Sequence, residues 1–489
     1  MKLFLPILFL CACGQTMAAP ANDNPITLEN RKEGTTDWIL KNPRVDEAHP
    51  MWNRYGLRCN QIEGFCSEPT VEAGEELQIF VSTNPGSDFT LDVYRMGWYQ
   101  GRGGRLMKSY GPISGSVQAT PVDGANRVIE CDWDPSLTIT IPDDWLSGVY
   151  LGKLTELTDS VQSYIIFVVR DSRQTDLVFQ VSDMTWQAYN RWPVNHSLYC
   201  KGERDSYTGT GVDVSIVRPY GKYTQLGNRP LSTGSGEFLL WEYPFSFWLE
   251  KEGYDVSYIS NWDTHYRPDT LARAKGFLSI GHDEYWSQEM FDQIREAVEN
   301  GMSAGFFSAN SVFCKIKLKA GKNGRPDVIF ERDGRFDPRE NTLMGNQSVA
   351  PVIGGGDWVC SLPNHWIFEG TGMKKGDAIP GLVGWEFQGA PADIPGLVVV
   401  SEGPTDKRRF PSPLEEPNIN GHYQATVYHG PQGNVIFSCG TIFWADGLSS
   451  PPGHTRSAHF QPREGPDLRA QRITHNVIRR MLASSQANN

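Results

Sequence analysis

Several familiar motifs are missing from this 489-residue chain, and each absence removes a chemistry. There is no Gly-x-Ser-x-Gly elbow, so no serine is offered on a sharp strand-to-helix turn. His-Glu-x-x-His is absent, which removes the helix-borne zinc protease site. No Cys-x-x-Cys spacing occurs, so a structural zinc site has no framework. Residues 71–169 hold no histidine and a single cysteine, Cys131, set among acidic residues, so the chemistry is expected elsewhere in the chain. Positive charge is in deficit: 45 Lys and Arg against 57 Asp and Glu give a net charge of -12, which argues against nucleic acid as a partner. No low-complexity tract or internal repeat is present, and 39% hydrophobic content with 21% charged residues is the composition of a folded chain.

The apolar run Leu3 to Cys13 is too short to span a bilayer. Preceded by Lys2 and followed by Ala18 and Ala19, it has the layout of a secretory signal, expected over residues 1–19, with a periplasmic or extracellular destination. Leu10-Cys11-Ala12-Cys13 also fits a lipoprotein signal, cut before Cys13 with that thiol acylated; cleavage after Ala18 or Ala19 is the alternative. Seven cysteines remain beyond it, an odd number that leaves one unpaired or pairing between chains, so a homo-oligomer stays open. Cys59 and Cys66 enclose a short loop that an oxidising compartment would let close.

The chain exceeds the size of one ordinary core, and its patterning changes part-way along. From Val71 to Val169, short alternating segments such as Leu77–Val81, Phe89–Tyr94, Leu137–Ile141 and Tyr164–Val168 predict an antiparallel sandwich, with the domain set at residues 20–172. Gly101-Arg102-Gly103-Gly104 reads as a hairpin, because no helix follows to back a phosphate loop. Beyond Asp171, strands at Leu177–Val181, Val256–Ile259, Gly276–Ile280, Ala304–Ser308 and Val435–Ser438 alternate with helical stretches. The fold class expected for residues 173–489 is α/β, an open, mostly parallel doubly wound sheet of the class I glutamine amidotransferase-like architecture. A long polar and aromatic loop is expected after Val181, and mainly loops with a few weak strands from Lys319 to Gly421.

Open α/β sheets bind ligands outside the carboxyl ends of their strands. There the first strand is followed by Ser182 to Asn190, with His196 and Tyr199 close behind, the third by Gly281-His282-Asp283-Glu284-Tyr285-Trp286-Ser287, and the fourth by Ala309-Asn310. His282, Asp283 and Glu284 offer metal ligands and a proton-transfer group in one loop, although Asp283 and Glu284 would also complement the dipole of the helix that follows.

Together with Tyr94-Arg95-Met96-Gly97-Trp98-Tyr99, Trp145 to Tyr150, Trp186 to Asn190, Trp248-Leu249-Glu250, Gly253 to Tyr258 and Gly440 to Gly447, these segments resemble the large (β) subunit of N,N-dimethylformamidase and its relatives. The resemblance implies an amidohydrolase acting on a small molecule, with mononuclear Fe(III) held by two tyrosinates and a glutamate; the family's amidases work with a small partner subunit, a setting from which this chain departs by its export signal. Carried onto this chain, Glu284 is the carboxylate ligand, and Tyr189 and Tyr199 are the tyrosines, with Tyr220 as the alternate. His282 and Asn310 are polarising or supporting groups, and Glu386 is the general base, with Glu369 as its rival. Fe(III) suits such an oxygen-rich set as a Lewis acid toward an amide carbonyl. Two other readings remain. One is a non-catalytic exported protein that stacks a sugar or planar ligand on Trp186, Tyr189, Trp192 and Tyr199; the other is a carbohydrate-processing enzyme using Glu284 and Glu386 as paired carboxylates.

Overall fold

The structure is a computed structural model that describes residues 23–46, 58–201, 204–205, 212–223, 230–322, 324–326, 328–406, 421–456 and 465–484. The expected signal and the acylation site at Cys13 lie outside the described residues. Among the described residues, no helix is long and apolar enough to cross a membrane.

The first part of the chain forms two facing sheets. Strands Ile62–Cys66, Glu76–Thr83 and Leu137–Thr140 make an antiparallel three-stranded sheet, while Thr70–Glu72, Gln162–Arg170, Gly148–Glu156, Phe89–Met96 and Gly104–Ile113 lie side by side in a five-stranded one. The period-two pattern sends Leu77, Ile79, Val81, Leu91, Val93, Ile165 and Phe167 into the space between them. The opposite face of the larger sheet is buried too. Tyr94, Met96, Leu151, Tyr164, Ile166 and Val168 share a core with Leu177, Phe179, Phe245, Trp248 and Tyr258 of the α/β part. Burial on both faces explains why Tyr164 to Val168 reads as an unbroken apolar run. The turn at Tyr99–Gly101 joins Phe89–Met96 to Gly104–Ile113, so the glycine-rich stretch is a hairpin, as its sequence predicts.

The seam between the two parts is polar at one point. Arg95 and Glu250 form an ion pair at 2.9 Å with both side chains fully buried. Glu250 also accepts from Asn30 Nδ2 at 2.8 Å and Tyr258 Oη at 2.9 Å, and Arg95 Nη2 donates to the Ser147 carbonyl at 2.8 Å. A Cβ on Gly97 would lie 2.4 Å from Glu250 Oε2, and one on Gly148 would lie 2.8 Å from Arg95 Nε, so both positions require glycine.

The sheet of the α/β part has seven strands in the order Val256–Ser260, Thr175–Val181, Ala274–Gly281, Ser303–Ser308, Val435–Ser438, Gly421–His429, Val398–Thr405. The first five are parallel and the last two antiparallel. Ser287 caps helix Gln288–Glu299 through Met290 N, and Met290, Phe291, Ile294 and Val298 are its buried face. Because Thr175–Val181 lies between the second and third strands in chain order, strand order reverses there. The crevice of a doubly wound sheet opens at that switch point.

Three expectations need correction. The stretch after Val181 is a helix, Asp183–Tyr189, almost wholly buried and therefore without an amphipathic period to betray it. Residues 319–421 carry two long strands, Gln347–Val359 and Ala378–Gly389, paired antiparallel. Gly354-Gly355-Gly356, Gly381 and Gly384 dilute their β signature, and register shifts break the alternation. Cys59 and Cys66 are both free, as are all described cysteines. The extended strand Ile62–Cys66 draws the two thiols apart, and Cys59 Sγ lies 3.9 Å from the Gln162 carbonyl instead.

Candidate active site

Two strand ends flank the switch point. Helix Asp183–Tyr189 leaves the first and presents Tyr189 at its carboxyl end; His282-Asp283-Glu284 leaves the third and runs into the short strand Tyr285–Ser287. Thr185 ties them together by accepting from Glu284 N at 3.0 Å and Tyr285 N at 3.2 Å. The Glu284 carbonyl accepts from Phe313 N and Cys314 N, both at 3.0 Å, which adds the segment after the fourth strand. Asp283 is a strut. Its carboxylate accepts from Gln180 Nε2 at 2.8 Å, Asn261 Nδ2 at 3.0 Å, Ser279 Oγ at 2.9 Å and Trp286 Nε1 at 2.8 Å, so it has no free lone pair for chemistry.

Glu284 and the tyrosines meet. Tyr189 Oη donates to Glu284 Oε2 at 2.7 Å, Tyr199 Oη donates to Tyr189 Oη at 2.7 Å, and Tyr199 Oη lies 3.4 Å from both Glu284 oxygens. The two phenol rings stack with centroids 4.6 Å apart. Tyr285 Oη donates to Tyr199 Oη at 2.5 Å and accepts from Arg332 Nη2 at 3.0 Å, while the Arg332 guanidinium lies over the Tyr199 ring at 4.7 Å. Cys314 Sγ donates to Glu284 Oε1 at 3.3 Å. The alternate, Tyr220, packs edge-on to Trp186 and bonds Gln187.

His282 is the hub on the other side. Its Nε2 lies 3.2 Å from Glu284 Oε2 and 3.0 Å from Glu386 Oε2, and its Nδ1 lies 3.4 Å from Glu237 Oε2. These are ion-pair separations; neither ring nitrogen is aligned as a hydrogen bond. Glu386 arrives on strand Ala378–Gly389, beside Trp385, whose ring stacks on Trp241 at 6.2 Å. Asn310, at a left-handed φ of 51° just past the fourth strand, accepts from Ser348 Oγ at 2.7 Å and bonds Glu386. All six residues singled out by sequence, Tyr189, Tyr199, His282, Glu284, Asn310 and Glu386, thus fall in one cluster. Glu369 is exposed and does not join it. The aromatic platform does not form: Trp186 and Trp192 are buried, and Trp192 donates to Glu63 at 2.7 Å beneath Arg58.

The electrostatics separate the two carboxylates. Burial would raise Glu284, but the charge of the close His282 ring and the hydrogen bond from Tyr189 outweigh it and hold Glu284 below the usual carboxylate range. Burial dominates at Glu386 and, with the charge of Glu284, leaves it above that range despite His282. Burial opposes protonation of His282, yet Glu386, Glu237 and Glu284 together lift it well above its ordinary value. Burial, reinforced by the Glu284 charge, pushes Tyr189 and Tyr199 well above the usual phenol range.

Residues 90–457 match the family model described as N,N-dimethylformamidase beta subunit-like, C-terminal. The chain belongs to this family. The match covers every residue of the cluster as well as the sandwich strands that share the α/β core. No curated protein sequence matches the chain.

Among the described residues, no three His, Cys, Asp or Glu side chains make a metal-holding group, so an ion would need phenol oxygens. An iron ion of the kind the sequence resemblance implies would meet that condition only through the tyrosines. Tyr189 Oη, Tyr199 Oη and a Glu284 oxygen stand 2.7 to 3.4 Å apart. Cis oxygens around a small octahedral ion with bonds of about 2.1 Å stand about 3 Å apart. The donor set is hard and oxygen-rich, which suits a trivalent ion. Four contributors escaped the sequence reading: Glu237, Tyr285, Arg332 and the Cys314 thiol as a partner of Glu284. Tyr285 alone carried a signal, as the neighbour of Glu284 within the same motif.

Proposed function

We propose that the chain is an exported metal-dependent hydrolase of an amide-type C–N bond on a small substrate. The observation that carries the proposal is the pairing of one carboxylate held ionised within a tyrosine cluster, Glu284, with another held above its usual range, Glu386, across a single histidine. Environments that push two carboxyls apart assign them different tasks. Glu284, Tyr189 and Tyr199 would hold Fe(III), which supplies Lewis acidity toward the amide carbonyl and acidifies water.

Glu386 accepts a proton from the attacking water and returns it to the leaving nitrogen, since its raised affinity for protons suits both transfers. His282, kept charged, holds Glu386 and Glu284 in register and favours negative charge developing beside it. Asn310, with its oxygen engaged by Ser348, keeps its amide hydrogens for Glu386 or for substrate. Burial of Tyr199, His282, Glu284, Asn310 and Glu386 excludes bulk water and strengthens each of these interactions. The layout of residues 1–19 supports export.

The test is release of amine from a panel of small amides by protein produced without residues 1–19, alongside elemental analysis. Amine release that depends on iron and is lost in Glu386→Gln supports the proposal. Metal-free turnover, or no turnover of any amide by an iron-loaded protein, refutes it.

A further inference from the structure

Arg218 is fully buried and pairs with no carboxylate among the described residues. Its five N–H groups all go to oxygens of its own part of the chain. Nη2 donates to the carbonyls of Gln187 and Asn190, both at 3.1 Å, and Nη1 to those of Trp192 and His196, both at 2.9 Å. Nε is shared between Gln187 Oε1 at 3.2 Å and the Ser215 carbonyl at 3.0 Å. Four carbonyls from the single stretch 187–196 therefore converge on one planar cation, the inverse of the backbone amide nests that bind anions. The first of them belongs to helix Asp183–Tyr189 near its carboxyl end, where a cation is favoured.

That stretch connects the two tyrosines. Tyr189 lies inside it and Tyr199 just past it, and Leu198 N returns to the Ala188 carbonyl at 2.9 Å to close the loop. Asn190 stitches the same two segments a second time: its Nδ2 donates to the Pro219 carbonyl at 2.9 Å, and its Oδ1 accepts from Gly221 N at 3.1 Å. Burial lowers the Arg218 guanidinium to about 10. Burying a charge without an opposite partner is costly, so the arrangement is retained for what it positions.

We propose that Arg218 is a positioning residue, a clamp that closes the loop from Gln187 to His196 onto Ser215 and so sets where Tyr189 and Tyr199 are presented to the metal. Its effect on catalysis rests on the hydrolase reading above; its effect on the loop does not. Lysine cannot replace it, because an ammonium has three donors on a point and cannot span four carbonyls.

The experiment is hydrogen exchange by mass spectrometry on wild type and Arg218→Lys, together with binding of ferric nitrilotriacetate followed by visible absorption. In the variant, amide protection over residues 188–199 is expected to fall about tenfold or more while the central strands keep theirs. Bound iron should fall, and the tyrosinate band should shift or fade. Glu250→Gln serves as a control, expected to lose stability while keeping the wild-type iron spectrum and the wild-type ratio of loop to strand exchange. Wild-type protection and wild-type iron binding in Arg218→Lys would overturn the proposal. If wild type binds no iron, the metal reading fails and exchange alone decides the clamp. Should Arg218→Lys not fold, wild type still gives an answer: residues 188–199 and 213–221 must exchange as one cooperative unit, and independent exchange rejects the clamp.

Discussion

Glu250→Gln is the sharpest perturbation of the fold. The substitution keeps shape and removes one charge from a pair whose members are both fully buried. Wild-type Glu250 receives four donors: Arg95 Nη1 at 3.1 Å, Arg95 Nη2 at 2.9 Å, Asn30 Nδ2 at 2.8 Å and Tyr258 Oη at 2.9 Å. A glutamine turns one of those acceptors into a donor, facing another N–H or O–H, and leaves the guanidinium without compensation. Breaking a buried pair from one side costs about 3–5 kcal/mol. Against a native stability of about 5–15 kcal/mol that is a large share. Arg95→Met strands the carboxylate instead and should cost a similar amount. Removing both members, as Arg95→Met with Glu250→Gln, should cost less than the sum of the single changes by about 2 kcal/mol or more. Urea unfolding followed by circular dichroism and tryptophan fluorescence measures all four proteins. Additivity within about 0.5 kcal/mol would mean that the pair is not coupled and that the seam is held by apolar packing alone.

Three further outcomes follow from the site and its surroundings. Glu386→Gln should keep its metal and lose turnover by about 100- to 10,000-fold, the range of general acid–base work; full activity would remove Glu386 from the mechanism. Tyr285→Phe takes away the donor at 2.5 Å from Tyr199 and one partner of Arg332, so iron affinity should drop by about 10- to 100-fold in a chelator competition, and unchanged affinity would show the contact to be incidental. Burial raises the Asp183 carboxyl from 3.8 to about 8. The native chain therefore keeps a proton that the unfolded chain releases above about pH 4, and this stability is present in acid and lost as pH rises toward 8. Asp183→Asn should abolish that slope, matching wild type near pH 4 and exceeding it at pH 8 in urea midpoints; parallel profiles would refute the assignment.

What could be read in advance follows physical lines. Strands buried on both faces, such as Thr175–Val181 and Ser303–Ser308, announce themselves as short apolar runs, and the amphipathic helix Gln288–Glu299 announces itself by its period and its cap. Polar residues after those strands marked Tyr189, His282, Glu284 and Asn310. Glu386 was reached only through the family resemblance, because its glycine-interrupted strand has no pattern of its own. Arg95, Gly97, Ser147, Gly148, Glu250 and Tyr258 were visible as parts of separate motifs, but their common purpose at the seam needs coordinates, since contacts between distant segments leave no local period. Helix Asp183–Tyr189 was hidden for the opposite reason: nearly all of it is buried, so its polar residues, Thr185 and Gln187 among them, bond within the core and look from sequence like a loop.

The measurement that bears most directly on the central claim is the iron content and visible spectrum of purified protein, wild type beside Glu284→Gln. Wild type is expected to carry about one iron per chain with a tyrosinate-to-iron charge-transfer colour, and Glu284→Gln neither, with its fold intact. A colourless, iron-free but fully active wild type, or a Glu284→Gln protein with its full complement of iron, would contradict it.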